Sequence, residues 1–544
     1  MRILYTLLLS LLFSFLAAQT FTEPVEIINN DLSITIRPDG FIPSIKYFSP
    51  SAGDWVGIAD SSGFWIGGLD PAANPKLSIS DRGDIQAGLF GTDNLQGIWR
   101  VTREEMLEYF SDYNDNFEID EEHPSIFAWP ARGNPLFSEY NNGMELPTGF
   151  NTVLAPFWNQ DSDFLSYNPL AGDFPFSNVF NSQALDLTIP KENYWLIFQS
   201  GFGPDNARLS LALNIYFFEC AGELDNLDES IFVHLTLKNR GQEDLINIFP
   251  SLKIDSKASR FMLTDSVNSS VVLYPPYGLA ENCNLDSIGV GQSLGVRVPR
   301  GALDEFGQDI GMSNTSVIYD STGNCGLFYP EATFYPNEAI AYYDRLRGLW
   351  NDGSTMQSQG DGYDQGVSTV RYAFPGNLDS ITSSWTEINA NQLAGERIAL
   401  IMSGDFTLLP GAVNEMTFQI SALELPEEVG VFEQVDSLNR QMIINRDEFG
   451  DFSCSSIMTS TSSPEINETI SIAPNPAWSY VQISTESNRP VRRATIFDMQ
   501  GRKIIEQDVF HSPASIEVGH LPAGMYLVQA QIGDGVVVER FVKR

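Results

Sequence analysis

The 544-residue chain is poor in histidine, cysteine and positive charge, and each shortage excludes a class of chemistry. Its four histidines are His123, His234, His511 and His520. Zinc triads and Ser-His-Asp sites both need well-placed imidazoles, and His234 falls in the strand-like run Val233-His-Leu-Thr. The segment Gly291-Gln-Ser293-Leu-Gly295 has the nucleophile-elbow pattern, but in that fold the histidine follows the serine, and only His511 and His520 do so here. None of the four cysteines, Cys220, Cys283, Cys325 and Cys454, sits in a CxxC, so no thiolate metal or redox motif is present. An even count in an exported chain permits disulfides, and Cys283 with Cys325, flanking a loop-rich region, is the expected pair. Lys and Arg number 31 against 70 Asp and Glu, a formal charge of −39. Such a surface repels polyanions, which excludes nucleic acid as a partner.

Long apolar runs are also scarce. One spans residues 3–18, after Arg2 and before Gln19-Thr20. Sixteen helical residues rise about 24 Å, short of the roughly 30 Å hydrocarbon core. A basic start, an apolar middle and the small exit residues Ala17 and Ala18 make residues 1–18 a signal peptide, with no transmembrane segment expected in the mature chain.

What the chain has in abundance is aromatic residues, glycine and proline, with 36 Phe, 19 Tyr, 43 Gly and 30 Pro. That mixture suits many strands joined by turns. Leu32, Ile34 and Ile36 share one face of a period-two pattern, and strand patterns return at 193–199, 209–218 and 231–239. The last of these reads as a hairpin with 245–249. Residues 102–110 predict a short helix capped by Thr102, with Glu105 at the capping-box position. Residues 111–185 read as ordered loops, and 427–446 as a longer helix with Val431, Val435, Leu438 and Met442 on one side. The expected fold is mainly β: a large antiparallel sandwich-like body (19–454) with few short helices, a Ser/Thr-rich linker (455–468), and a small C-terminal Ig-like sandwich (469–544). Charge divides the same way. Residues 19–468 hold 22 basic and 63 acidic residues, whereas 469–544 holds eight and seven.

The C-terminal domain resembles the type A C-terminal sorting domain of the type IX secretion system of Bacteroidota. The resemblance is carried by Pro474-Asn475-Pro476, the Ile496-Phe-Asp-Met-Gln-Gly-Arg-Lys503 block with Gly501, the Leu521-Pro-Ala-Gly-Met-Tyr-Leu-Val528 block with Gly524, and the basic end Arg540-Phe-Val-Lys-Arg544. It implies passage through the type IX secretion machinery, cleavage by a sortase-like protease, and a secreted or outer-surface body, released or attached to lipopolysaccharide. More weakly, residues 64–70, 98–104, 129–135, 167–175, 346–353 and 406–412 resemble large uncharacterised proteins that carry the same tail, and this implies no activity. Where those relatives have an Asp-rich run, this chain has Asp255-Ser-Lys-Ala-Ser-Arg.

Two runs alternate oxygen side chains as calcium loops do. One is Asp112, Asn114, Asn116 and Asp120, with Glu118 between. The other is Asn159, Asp161 and Asp163, with Asp173 further on. Phe117 and Phe164 stand where calcium loops place glycine. Bound Ca2+ is the only cofactor expectation. Asp-Ser-apolar triplets at Asp265, Asp286, Asp379 and Asp436 resemble the O-glycosylation sequon of that phylum. Carboxylates are too numerous for composition to exclude a glycosidase acid pair, and Trp65, Trp99, Trp129, Trp158, Trp195, Trp350 and Trp385 are available to stack on sugars, though core packing is the commoner use. The expected body is a non-enzymatic surface, adhesion or matrix protein; the alternative is a carbohydrate-binding or carbohydrate-active one.

Overall fold

The computed structural model describes residues 20–544 except 90–94, 148–151, 159–165, 177–189, 220–228, 276–290, 320–328, 365, 367, 377–383, 426–430, 443–469, 486–490, 499–502, 512, 523 and 533–534. The signal peptide, all four cysteines, the linker, Asn159, Asp161, Asp163, Asp286, Asp379 and Gly501 lie outside the described residues. The chain forms two compact units, the second holding residues 470–544.

Strand formation in the body follows period-two burial. In β5 (Ser230–Asn239), Ile231, Val233, Leu235 and Leu237 are fully buried in the core. Its neighbours β4 (Leu209–Phe217) and β9 (Val413–Glu424) send Leu211, Leu213, Met416 and Phe418 to the same side. Each such side chain contributes about 1.5–3 kcal/mol relative to exposure. The first sheet runs antiparallel through β2 (Ile98–Thr102), β3 (Glu192–Ser200), β4, β5, β9, β7 (Gln292–Arg300) and the hairpin strand Ser270–Tyr274. The second is centred on β1 (Asp54–Leu69), flanked by Ile42–Ser49 and Pro75–Ile79, and extends to β8 (Gly395–Met402) and Asn314–Tyr319. Phe64 of β1 and Phe418 of β9 meet across the core, ring centroids 6.3 Å apart. The 21-residue β6 (Leu245–Asp265) joins the layers: it pairs with β1 and β8, shifts register between Ser256 and Arg260, and then pairs with Ser270–Tyr274.

The expected hairpin between 231–239 and 245–249 does not form. Both edges of β5 are occupied, by β4 and β9. The intervening residues turn the chain away, because the Asn239 side-chain amide donates to the Glu243 and Leu408 carbonyls, each at 2.9 Å, and accepts from Gly241 N–H at 2.8 Å.

Helix α1 (Arg103–Asn116) has the expected capping box: Thr102 Oγ1 accepts from Glu105 N–H at 3.2 Å, and Glu105 Oε2 accepts from Thr102 N–H at 2.7 Å. It runs a turn and a half past the expected end, stopping at Phe117 in the left-handed region (φ 65°). The segment expected to be loops also holds α2 (Pro124–Phe127), α3 (Phe137–Tyr140) and a small strand pair, Phe157–Trp158 with Phe174–Pro175. Helix α4 (Val431–Met442) buries Val435, Leu438 and Met442. A Cβ on Gly295 would lie 2.5 Å from Met442 Sδ, so this glycine seats a helix, and Ser293 is a fully buried residue within β7.

Among the described residues the C-terminal unit has seven strands in two sheets. β10 (Ile470–Ala473), β11 (Tyr480–Thr485) and β14 (Ala514–Glu517) form one; β13 (Lys503–His511), β12 (Val491–Asp498), β15 (Gly524–Ile532) and β16 (Gly535–Lys543) form the other. Its core, including Val481, Ile483, Ile496, Ile516, Val528 and Phe541, is its own.

Candidate functional site

The second face of the first sheet is polar yet covered. Trp195 of β3, Asn214 of β4, His234 of β5 and Thr417 of β9 stand in direct cross-strand register. One step along are Ala212, Thr236 and Glu415, and a further step brings Ser210, Lys238 and Val413. These positions alternate with the core leucines and valines, so a single strand register fixes both faces.

Residues 129–132 and 152–156 wall this face. Trp129 is fully buried and its Nε1 donates to the Pro156 carbonyl at 3.0 Å, while Ala155 N–H bonds the Pro130 carbonyl at 3.1 Å. Between wall and sheet lies a cavity of about 320 Å³, lined by Arg132, Thr152 and Pro156 on one side and by Trp195, Asn214, His234, Thr236, Lys238 and Glu415 on the other. That volume is at the small end of ligand pockets.

His234 is oriented from both ring nitrogens: Nδ1 lies 3.0 Å from Thr417 Oγ1, and Nε2 3.5 Å from Glu415 Oε2. Glu415 Oε1 also accepts from Arg300 Nη2 at 2.7 Å. The His234 hydrogen bond, with help from the Arg300 charge, holds the Glu415 carboxyl below the usual carboxylate range. Burial pushes the Lys238 ammonium down, and the positive charges of Arg132 and Arg240 push it further. Asn214 is 3% exposed, and neither its Nδ2 nor its Oδ1 finds a hydrogen-bond partner among the described residues. An unpaired buried amide group costs about 1–3 kcal/mol, so the Asn214 amide, facing the cavity, is open to a group that donates and accepts. Sequence reading singled out His234 and Trp195 but missed Asn214, Lys238, Glu415 and Arg132. The available signal was polar residues at every second position of strands whose other face is wholly apolar.

A larger cavity of about 580 Å³ is lined by Asp255, Tyr319, Glu331, Phe334, Tyr335, Asn351, Asp352 and Glu396. Two of its polar side chains are engaged within the chain. Asn351 bonds Arg345 Nε and the Phe334 carbonyl, and Asp352 accepts from Ser354 and Tyr363.

The first candidate cation run is placed differently from a calcium loop. Asp112, Asn114 and Asn116 lie on the last turns of α1, where alternate residues point apart. The carboxylates that converge are Asp112, Asp115 and Asp120, with oxygens within 4.8 Å of one another. Asp112 also accepts from the N–H groups of Asp120 and Glu121, at 3.1 and 3.0 Å, and contacts His123 Nε2 at 2.9 Å. Burial works to raise the Asp112 carboxyl, but these bonds outweigh it and hold the group below its usual value. Asn116 Nδ2 donates to Asp120 at 2.7 Å. Three carboxylates fall short of the six to eight oxygens calcium takes. In the second run only Asp173 is described; it is buried and accepts from Asn168 N–H at 2.7 Å. Five of the seven tryptophans considered for sugar stacking, Trp65, Trp99, Trp129, Trp195 and Trp350, are at most 1% exposed, whereas Trp158 is 36% exposed. Of the described triplets, Asp265 opens an exposed turn in which Val267 is 90% exposed, whereas Asp436 lies in α4.

In the C-terminal unit the Pro474–Pro476 segment and Gly524 meet at β16. Asn475 Oδ1 accepts from Val542 N–H at 2.9 Å, and the following residue but one, Ala477, donates to the Val542 carbonyl at 2.7 Å. Gly524 begins β15 directly opposite Lys543. Pro474 and Pro476, both preceded by cis peptide bonds, flank this clasp.

No curated protein matches the chain. Solved structures similar to it include a polysaccharide lyase (10% identity over 64% of this chain and 36% of that one, TM-score 0.18) and a protein described as a mutarotase, YeaD, from Salmonella typhimurium (8% identity over 74% of this chain and 90% of that one, TM-score 0.19). The chain thus spans about a third of the length of that lyase. Both TM-scores are so low that neither likeness bears on what the body does. Residues 471–544 match the family model of the secretion system C-terminal sorting domain. This C-terminal unit therefore belongs to the type IX secretion sorting-domain family, whose tails mark proteins for export and for attachment to, or release from, the cell surface.

Proposed function

We propose that the exported body is a surface-delivered carbohydrate-binding protein whose ligand occupies the cavity over β3, β4, β5 and β9. The observation that carries this reading is Asn214: a buried amide with two unpaired polar atoms, set between Trp195 and His234. An amide with a free donor and a free acceptor suits a hydroxyl group, which also donates and accepts. His234, held by Thr417 and Glu415, and the hydroxyl of Thr236 add further groups of the same kind on the same face. After a sortase-like protease removes the tail, the body is either attached to lipopolysaccharide at the surface or released.

The test is titration of the purified chain with mono- and oligosaccharides, followed by calorimetry and by NMR of the tryptophan indole N–H groups. Saturable binding that shifts the Trp195 indole resonance and is weakened at least tenfold, about 1.4 kcal/mol, in Asn214→Ala is the expected result. No saccharide binding, or binding indifferent to Asn214, refutes the assignment.

A further inference from the structure

The cavity over the first sheet is closed at one end and open at the other. Of the described residues lining it, Trp195, Asn214 and His234 are at most 3% exposed, whereas Val413 is 51% exposed. Glu415 lies between these extremes, and Thr417, the next residue of β9 on the same face, is buried beside His234. Past the buried end, the next step of the register sets Tyr216 opposite Phe232. Their rings stack with centroids 5.4 Å apart, and Phe218 packs against both. On the β2 side the Trp99 ring packs against Trp195 at 5.6 Å. These buried aromatic rings block the inner end, so a ligand that reaches the Asn214 amide enters past Val413 and Glu415. The volume limits how much of it enters. About 320 Å³ is at the small end of ligand pockets, room for one sugar ring and not for a run of linked rings. A ring inside a polymer has a neighbour on each side and needs two exits, whereas a ring at the end of a chain needs one. At the mouth, the turn that leads into Val413 is closed by the Ala412 N–H bond to the Leu409 carbonyl at 2.9 Å, and it leaves Leu409 56% exposed as well. Two exposed apolar side chains at one lip suit the C–H face of a second ring, whose burial needs no hydrogen bond.

Resting on the carbohydrate reading, we infer that the cavity holds the single terminal ring of a glycan chain, with its hydroxyls toward Asn214 and His234, while the rest of the chain leaves past Val413 and Leu409. Internal segments of a polymer do not enter. The number of sites a glycan offers this protein is therefore set by its ends and not by its length.

The experiment is calorimetric titration of the full chain with glucose, galactose, mannose and xylose, and with short and long linear oligosaccharides of each. For at least one sugar, short and long oligosaccharides bind with the same affinity per chain and the same ratio, one protein to one glycan chain, and Asn214→Ala weakens both at least tenfold. Val413→Trp, which narrows the mouth, weakens oligosaccharide binding at least tenfold, and Leu409→Ala weakens it while leaving the free sugar unaffected; both positions are exposed, so neither change threatens the fold. A ratio of protein to glycan that rises with chain length overturns the chain-end inference and leaves the carbohydrate reading standing. Binding of a free sugar without binding of its oligosaccharides does the same. Absence of binding by every sugar and oligosaccharide overturns both.

Discussion

Two buried asparagines of one chain are expected to respond oppositely to the same substitution. Asn141 is 4% exposed and uses its whole side chain: Nδ2 donates to the Ala128 and Phe137 carbonyls at 3.0 and 2.9 Å, and Oδ1 accepts from Trp99 Nε1 at 2.9 Å and Thr20 Oγ1 at 3.1 Å. Asn214 is as deeply buried and makes none of these bonds. Replacing Asn141 by Leu removes four hydrogen bonds worth about 0.5–1.5 kcal/mol each and strands the Trp99 indole N–H, a loss of about 2–5 kcal/mol. Replacing Asn214 by Leu removes two unpaired polar atoms and substitutes apolar surface of similar volume. The gain is about 1–2 kcal/mol, below the sum of two full penalties because the cavity keeps that face partly hydrated. Urea unfolding of the two variants and the parent, at matched slope, measures both numbers. The stabilised Asn214→Leu chain must also lose saccharide binding. An Asn214→Leu variant destabilised by more than about 1 kcal/mol would show that the amide is paired in solution and would remove the main support for a ligand there.

Three further outcomes are expected. Glu387 and Arg397 form a fully buried pair at 2.8 Å, with Glu387 also accepting from Met262 N–H and Arg397 lying over Tyr319. Glu387→Leu alone costs about 3–5 kcal/mol and the double variant Glu387→Leu/Arg397→Met distinctly less, in a double-mutant cycle; equal costs would mean the pair is not coupled. Asp112→Ala lowers the melting temperature of the body in chelator as well as in calcium, because its lost bonds are to His123 and two backbone N–H groups; a loss seen only in millimolar calcium would instead assign it to a cation site. Deleting 469–544 leaves the body folded, since its cores draw on residues before 443, but abolishes its display, as surface proteolysis of intact cells reports; undiminished display would refute the tail's role.

Local signals in the sequence were read correctly where a single element decides them. The Thr102–Glu105 capping box, the Val435–Leu438–Met442 stripe and the alternation in 32–36 need no partner to be recognised. Strand partnership was not legible at 231–249, because two adjacent runs with a glycine between them look alike whether they pair or part. The difference lies in Asn239, whose amide turns the chain through contacts with residues as distant as Leu408. The end of α1 was hidden for a related reason: Asp, Asn and Tyr are weak helix formers, and the docking of Asp112 onto the 120–123 segment holds the last turns. The cavity was half visible. Period two exposes a polar second face in 209–217 and 230–239, but only the register across β3, β4, β5 and β9 shows that these polar residues form one row, and only the wall at 129–132 and 152–156 shows that they are enclosed.

The Asn475 clasp has a consequence for timing. Its partners, Val542 N–H and the Arg540 carbonyl, lie 67 and 65 residues further along the chain, and Gly524 faces Lys543 across the same strand. A chain emerging from the ribosome without β16 displays the Pro-Asn-Pro sequence but not the surface it builds. If the secretion machinery reads that surface, the address becomes readable only after the whole tail has been made and folded, so partly synthesised copies carry no valid address.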